Sequence, residues 1–251
     1  MLVGIHQPHY LPWLRYLNKV ARSDVFILLD DVQYEKNGFQ NRNKIKPAQG
    51  WTYLTAPVLK PTLRPIAEIE LDSRSGWREK HRRALEQNYR RAPHFDRYWP
   101  DLAALYDQEW THLGPLNEAM LRLFACQLGI ETRIVRSSEL PTTGESTVRL
   151  AELCAAAGGD TYLSGAHAVG AYLDPDVLAR AGIKLAYQGW TAPAYPQLYP
   201  GAGFVPDLAI VDLLFNAGPD ALALLLASGR VETPAEGLGT HGSEEGITDG
   251  D

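Results

Sequence analysis

The first thirty-two residues restrict the folds open to this chain more than any other stretch. Leu2-Val3-Gly4-Ile5 is an apolar run that passes directly into polar His6-Gln7-Pro8-His9-Tyr10, the pattern of a buried parallel strand whose carboxyl end carries functional groups. Pro12 suits the first turn of a helix, where a missing amide hydrogen leaves no bond unmade, so Leu14 to Ala21 is expected as helix. Val25-Phe26-Ile27-Leu28-Leu29 then reads as a second buried strand. Parallel strands need a crossover, and a strand-helix-strand opening commits the chain to an α/β sheet with ligands at its carboxyl edge.

Chemistry gathers at those two strand ends. His6, Gln7, His9 and Tyr10 follow the first strand, and Asp30, Asp31 and Gln33 follow the second. Side by side, they would bring imidazole, amide, phenol and carboxylate groups to one edge, able to orient a polar substrate and move a proton. His6, His9, Asp30 and Asp31 are therefore the candidate catalytic residues. Three roles are open to the histidines: contact with a nucleotide phosphate, acid-base work on another substrate, or hydrogen bonds between loop and core. Adjacent residues of an extended strand face opposite ways, so one of Asp30 and Asp31 is expected in the cleft, unless a carboxylate pairs with Arg42 or caps a turn. Between Lys36 and Lys46 the chain carries four cations, several side-chain amides and no acid. Lys36, Asn41, Arg42, Asn43 and Lys44 suit phosphate or carboxylate oxygens, since Arg offers a planar fork and Lys a mobile charge.

Further along, Trp51 to Thr55 and Ile66 to Leu71 read as strands, and Gly76–Arg91, Phe95–Trp110 and Pro115–Leu128 as helices. Together they predict a helical insertion over about 73–128. Ile130–Val135, Thr161–Leu163 and Ile183–Gln188 are expected as strands, with helices over Ser146–Ala157 and near Pro175–Ala181 between them. The repeated order predicts an α/β fold: a three-layer, mainly parallel, Rossmann-like sheet of nucleotidyltransferase-like type in one domain over 1–230. Ser164 and Gly165 fall at a strand end, where glycine lets backbone amides approach a ligand. Tyr195 and Gln197 lie in an aromatic, Pro- and Gly-rich stretch that could wall a substrate. Leu208 to Asn216 and Asp220 to Ser228 read as closing helices.

Charge has to be located before it is interpreted. Of the 30 acids, six lie after Arg230 with no Lys or Arg among them, leaving 24 cations against 24 anions in residues 1–230. A formally neutral body argues against nucleic acid or an anionic membrane as partner. The acidic stretch 231–251 has too little apolar surface to offset ordering entropy and is expected to be disordered. Cys126 and Cys154 lie in apolar contexts without metal-ligand spacing, and are expected as buried reduced thiols, with no metal site. Without a charged leader or a run approaching ~18 apolar residues, the chain is expected in the cytoplasm.

Several ordered blocks together resemble the WbqC-like proteins of bacteria. They are His6-Gln7-Pro8-His9-Tyr10-Leu11-Pro12-Trp13, Ser23-Asp24-Val25-Phe26, Asp30-Asp31-Val32-Gln33-Tyr34, Phe39-Gln40-Asn41-Arg42-Asn43-Lys44-Ile45, Tyr162-Leu163-Ser164-Gly165, Tyr195-Pro196-Gln197 and Phe204-Val205-Pro206-Asp207 to Asn216. The likeness covers roughly residues 1–220 and departs at Arg15, where the family often has Gly. It implies a cytoplasmic bacterial protein of surface-polysaccharide or specialised metabolism, with glycine transfer among the activities described for relatives. His6-Gln7-Pro8-His9 also resembles the HxGH loop of nucleotidylyltransferases, with Pro8 in place of the glycine. The expected function is transfer of an aminoacyl or acyl unit, glycyl included, onto an amine of a sugar or small metabolite. The alternatives are ATP-dependent activation of a carboxylate or phosphate, and a scaffold role in a biosynthetic complex. An anionic or phosphate-bearing small molecule is the expected partner, with ATP or another nucleotide open as cofactor.

Overall fold

The computed structural model describes residues 1–60, 63–165 and 173–233. The opening reads out as β1 (Leu2–His6), α1 (Leu14–Arg22) and β2 (Val25–Leu28). β1 and β2 pair in parallel, from Val3 against Val25 to His6 against Leu28. Gly4 is needed inside β1, where the end of α1 and β2 close on it: a Cβ there would lie 2.3 Å from Ser23 Oγ and 3.0 Å from the Phe26 ring. Ser23 closes α1, its N–H donating to Val20 O and its hydroxyl to Lys19 O.

After β2 the chain leaves the main sheet. It forms one hairpin from β3 (Arg42–Ile45) and β4 (Thr52–Thr55), and another from β5 (Val58–Leu59) and β6 (Glu70–Leu71). The strand expected at Trp51–Thr55 pairs with the polar stretch around Arg42, itself a strand, while one expectation is corrected. Of Ile66–Leu71 only the last two residues are strand, because Ile66–Glu68 forms a 3₁₀ turn. The helical segment follows as α2 (Trp77–Tyr89), α3 (Phe95–Asp107) and α4 (Leu113–Leu128). Several α2 cations are spent in surface pairs, Arg82 with Asp107 and Arg83 with Glu79. Cys126 lies on the outer face of α4 and is exposed, against expectation, whereas Cys154 is buried.

The chain then returns to the sheet through β7 (Arg133–Arg136), α5 (Ser146–Ala156), β8 (Thr161–Gly165), α6 (Pro175–Arg180), β9 (Lys184–Trp190), α7 (Ile210–Ala217), α8 (Ala221–Ala227) and β10 (Gly229–Glu232). The resulting order is β10-β9-β8-β1-β2-β7, with every neighbouring pair parallel except β10 with β9. Side chains alternate across it and build two cores. Val3, Ile5, Val25 and Ile27 pack under α5 and α6 with Leu153, Cys154 and Leu178. Phe26 and Leu28 face the other way, into a larger cluster with α1, the α2–α4 helices and α7. The architecture is thus a mainly parallel α/β sheet with helices on both sides.

Residues 231 and 232, expected to be disordered, belong to β10. Gly189 makes this possible, because a Cβ there would lie 2.3 Å from the Glu232 carboxylate; positions from 234 onward lie outside the described residues. One helical stretch, Ile210–Ala227, is apolar and long enough to cross a membrane by composition, but 56% of it is buried in the protein. It spans α7 and α8 and supplies Leu213, Leu214, Phe215 and Leu225 to the larger core.

Candidate functional site

The strand order reverses direction between β1 and β8, and there the two strands part. Their pairing ends at Gly4 against Leu163, whereas β1 stays paired with β2 to His6 and β8 with β9 to Gly165. Open α/β sheets bind ligands at such a reversal, outside the carboxyl ends of the strands. A side chain occupies the place of the absent strand backbone: Lys19 of α1, 4% exposed, donates from Nζ to Ile5 O at 2.9 Å. The same ammonium lies 5.7 Å from the centroid of the Tyr162 ring on β8.

Around this amine stands a cluster of polar rings. His6 and His9 meet edge to face with centroids 4.7 Å apart, and Tyr16 lies 5.1 Å from the first and 4.9 Å from the second. Behind His9, Trp13 stacks on Phe39 at 4.6 Å. The His6 Nδ1 lies 3.1 Å from Gln7 O. Only an N–H can bond a carbonyl, so Nδ1 carries the proton and Nε2 is left as acceptor. His9 Nδ1 and the Tyr16 hydroxyl are buried with no hydrogen-bond partner among the described residues. At the end of β8, a Cβ on Gly165 would meet no described atom within 4 Å beyond its chain neighbours.

Burial sets the protonation states. It lowers His6 to about 4, assisted by the Lys19 charge, and holds His9 well below the usual imidazole range, assisted by His6. Burial likewise brings Lys19 down to about 7 and pushes the Tyr16 phenol well above 10. At neutral pH the site thus holds two neutral imidazoles, an intact phenol, and an amine brought within reach of its free form.

A family model described as the WbqC-like protein family matches residues 7–224. The chain belongs to that family. Among relatives of this WbqC-like protein, one from Mycobacterium tuberculosis (strain ATCC 25618 / H37Rv), named "Uncharacterized protein Rv1507c", is 38% identical over 224 residues. The match spans 87% of this chain and 95% of the relative. No solved structure matches.

The other residues singled out in the WbqC-like sequence are dispersed. Asp30 turns to the segment after β7, where Ser138 donates from N at 3.1 Å and from Oγ at 2.8 Å, and Ser137 Oγ lies 3.0 Å away. Asp31 accepts from Ser137 Oγ at 2.6 Å and from Arg149 Nη2 at 2.5 Å. Arg149, rather than Arg42, is thus its ionic partner, and no hydrogen bond links either carboxylate to His6 or His9 among the described residues. Gln7 accepts from Gln40 at 2.7 Å. The Tyr10 hydroxyl is committed to the helices, 2.7 Å from His81 Nδ1 and 2.5 Å from Tyr106 OH. Gln33 and Lys36 are exposed.

On β3 the alternation of side chains separates amides from cations. Asn43 reaches inward, donating to Leu11 O at 2.8 Å, and Asn41 donates to Ala56 O at 2.9 Å. Arg42 and Lys44 consequently face the other way, the guanidinium 4.4 Å over Tyr53 and the ammonium 4.5 Å over Trp51. Asn43 clamps the segment bearing His9 and Asn41 ties the hairpin's own ends, while the cations stand on the other face of the hairpin. Ser164 is buried, its hydroxyl 3.3 Å from Gly165 O. Tyr195 and Gln197 belong to a separate buried network: Tyr195 and Tyr89 each donate to Asp212, and Gln197 spans Tyr195 and the Val205 backbone.

Sequence reasoning overlooks Lys19 and Tyr16. A lysine in a short helix reads as solvated, yet α1 buries Tyr16, Leu17, Asn18, Lys19 and Val20 together. The available signal is the i, i+3 spacing, which puts Tyr16 and Lys19 on one face, directly after a strand that ends in histidine.

Proposed function

We propose that this WbqC-like protein is a group-transfer enzyme of bacterial biosynthesis that moves an acyl or aminoacyl unit, glycyl among the candidates, onto an amine in the cytoplasm. The reaction site is the gap between β1 and β8. One observation carries the reading: a buried amine, imidazole and phenol with unused hydrogen-bonding capacity share a strand-order reversal. Leaving a buried polar atom unpartnered costs roughly 1–3 kcal/mol, and a ligand that supplies the partner recovers that cost.

The roles follow from protonation. Lys19 in its free form takes the proton from the acceptor amine as that nitrogen attacks the acyl carbon, and returns it to the departing group. His9 and Tyr16 offer N–H and O–H donors to the carbonyl oxygen, whose charge grows as the bond forms, while His6, its one N–H held by Gln7 O, presents Nε2 as an acceptor that orients the incoming amine. His6 and His9 are too weakly basic at neutral pH to act first as proton acceptors.

A second reading has its own support. Counted along the chain, the sheet strands run 6-5-4-1-2-3, the order of Rossmann-like folds, with the HxxH segment between β1 and α1. On that reading a nucleotide sits against His6 and His9 and activates a carboxylate.

The test is amide formation by the purified protein, followed by mass spectrometry, with amine acceptors and either acyl thioesters or free carboxylic acids plus ATP. Amide product is expected, slowed about 10²-fold or more by Lys19→Met, with pyrophosphate release marking the nucleotide route. Turnover at the wild-type rate in both Lys19→Met and His9→Phe would remove the site from the reaction.

A further inference from the structure

A second cleft, of about 670 Å³, opens between the residues after β2 and the loop from β7 into α5. Its volume falls in the range of small-ligand sites. It lies apart from the ring cluster: neither His6, His9, Tyr16 nor Lys19 lines it, although Leu29 on its wall donates from its backbone to His6 O at 2.9 Å.

The lining combines three kinds of group. At the centre, Asp31 and Arg149 face each other at 2.5 Å with side chains 30% and 22% exposed, so the pair is open to the cleft rather than sealed. Hydroxyls surround it, Ser137 against Asp31 and Thr142 3.4 Å from Arg149 Nε. Leu29 and Leu140 add apolar wall.

Hydrogen-bond bookkeeping then defines the ligand. Each Asp31 oxygen uses one acceptor position and keeps another, and most N–H groups of the Arg149 guanidinium remain unspent. Paired acceptors beside paired donors match two neighbouring hydroxyls, each of which gives one hydrogen bond and takes one. Charge excludes the obvious competitor. Asp31 and Glu145 outnumber Arg149 as the charged groups on the lining, which disfavours a phosphate.

We propose that this cleft is a binding site for an uncharged vicinal diol, either a sugar ring or the ribose of a nucleoside. The hydroxyl pair lies across Asp31 and Arg149, and the apolar face of the ligand lies along the leucines. The inference is independent of acyl transfer, since it claims binding only.

Saturation-transfer NMR on the full chain tests it with adenosine, 2′-deoxyadenosine and methyl α-D-mannopyranoside as observed probes and inorganic phosphate, which has no carbon-bound proton to observe, as competitor. Transfer to adenosine or to the mannoside is expected, and which of them responds identifies nucleoside or free sugar. The deoxynucleoside should bind at least tenfold more weakly than adenosine if the nucleoside is the ligand. Asp31→Asn should abolish transfer. Thr143→Trp, an exposed change at the cleft mouth, should do so without altering the melting temperature, which covers the case in which Asp31→Asn fails to fold. Silence from both diol probes, loss of their signal on adding an equal concentration of phosphate, or transfer persisting in Thr143→Trp would overturn the proposal.

Discussion

Burial removes the water that would solvate the Lys19 charge, and brings this amine down to about 7 in the folded protein. In the unfolded chain the same group stays protonated to about 10.5. Between about 7 and 10.5 the unfolded state therefore binds the extra proton, and this residue makes stability rise with pH across that window. Below it, amine and ammonium no longer distinguish folded from unfolded, and the burial penalty is felt in full. Lys19→Met has no such titration. The stability difference between it and the wild type, measured by urea melts, should shift toward the wild type as pH is raised from 7 to 10; a flat difference would place the amine in water. The proposed transfer reaction should show the kinetic counterpart, its rate climbing through about pH 7 as the free base forms and levelling above.

Among the elements, β3 is the least expected. Its inward residues are Asn43 and Ile45 rather than a run of hydrophobics, and Asn43 holds the Leu11 carbonyl across 32 positions. Asn43→Ala leaves that carbonyl without its partner and should cost about 1–3 kcal/mol, read as a fall in the urea midpoint at unchanged m-value. The β1-α1-β2 opening is legible because two apolar runs of strand length flank one helix-length segment. The nearness of His6 and His9 is legible for the same reason, since both follow one strand end. By contrast, β10 hides in a Gly-Arg-Val-Glu sequence that carries no strand pattern without β9 beside it. The partners of Asp30 and Asp31 are equally hidden, because Ser137 and Arg149 lie more than a hundred positions away and only the fold brings them near.

Over the molecule as a whole, one apolar cluster runs from Phe26 and Leu28 on the sheet through Leu17 of α1 to Leu105 and Phe124 of the helical segment and Phe215 of α7. Tyr10 adds a polar tie between the same parts through His81 and Tyr106. Helices and sheet should therefore melt together, giving a single calorimetric transition; two separated peaks would mark α2–α4 as an independent unit. The parting of β1 from β8 has a last consequence. A lone amine there substitutes for a strand, so any compound entering the gap changes how readily that nitrogen keeps its hydrogen. Titration calorimetry near neutrality should then give heats that depend on the ionisation enthalpy of the buffer, an exchange detectable before any product is known.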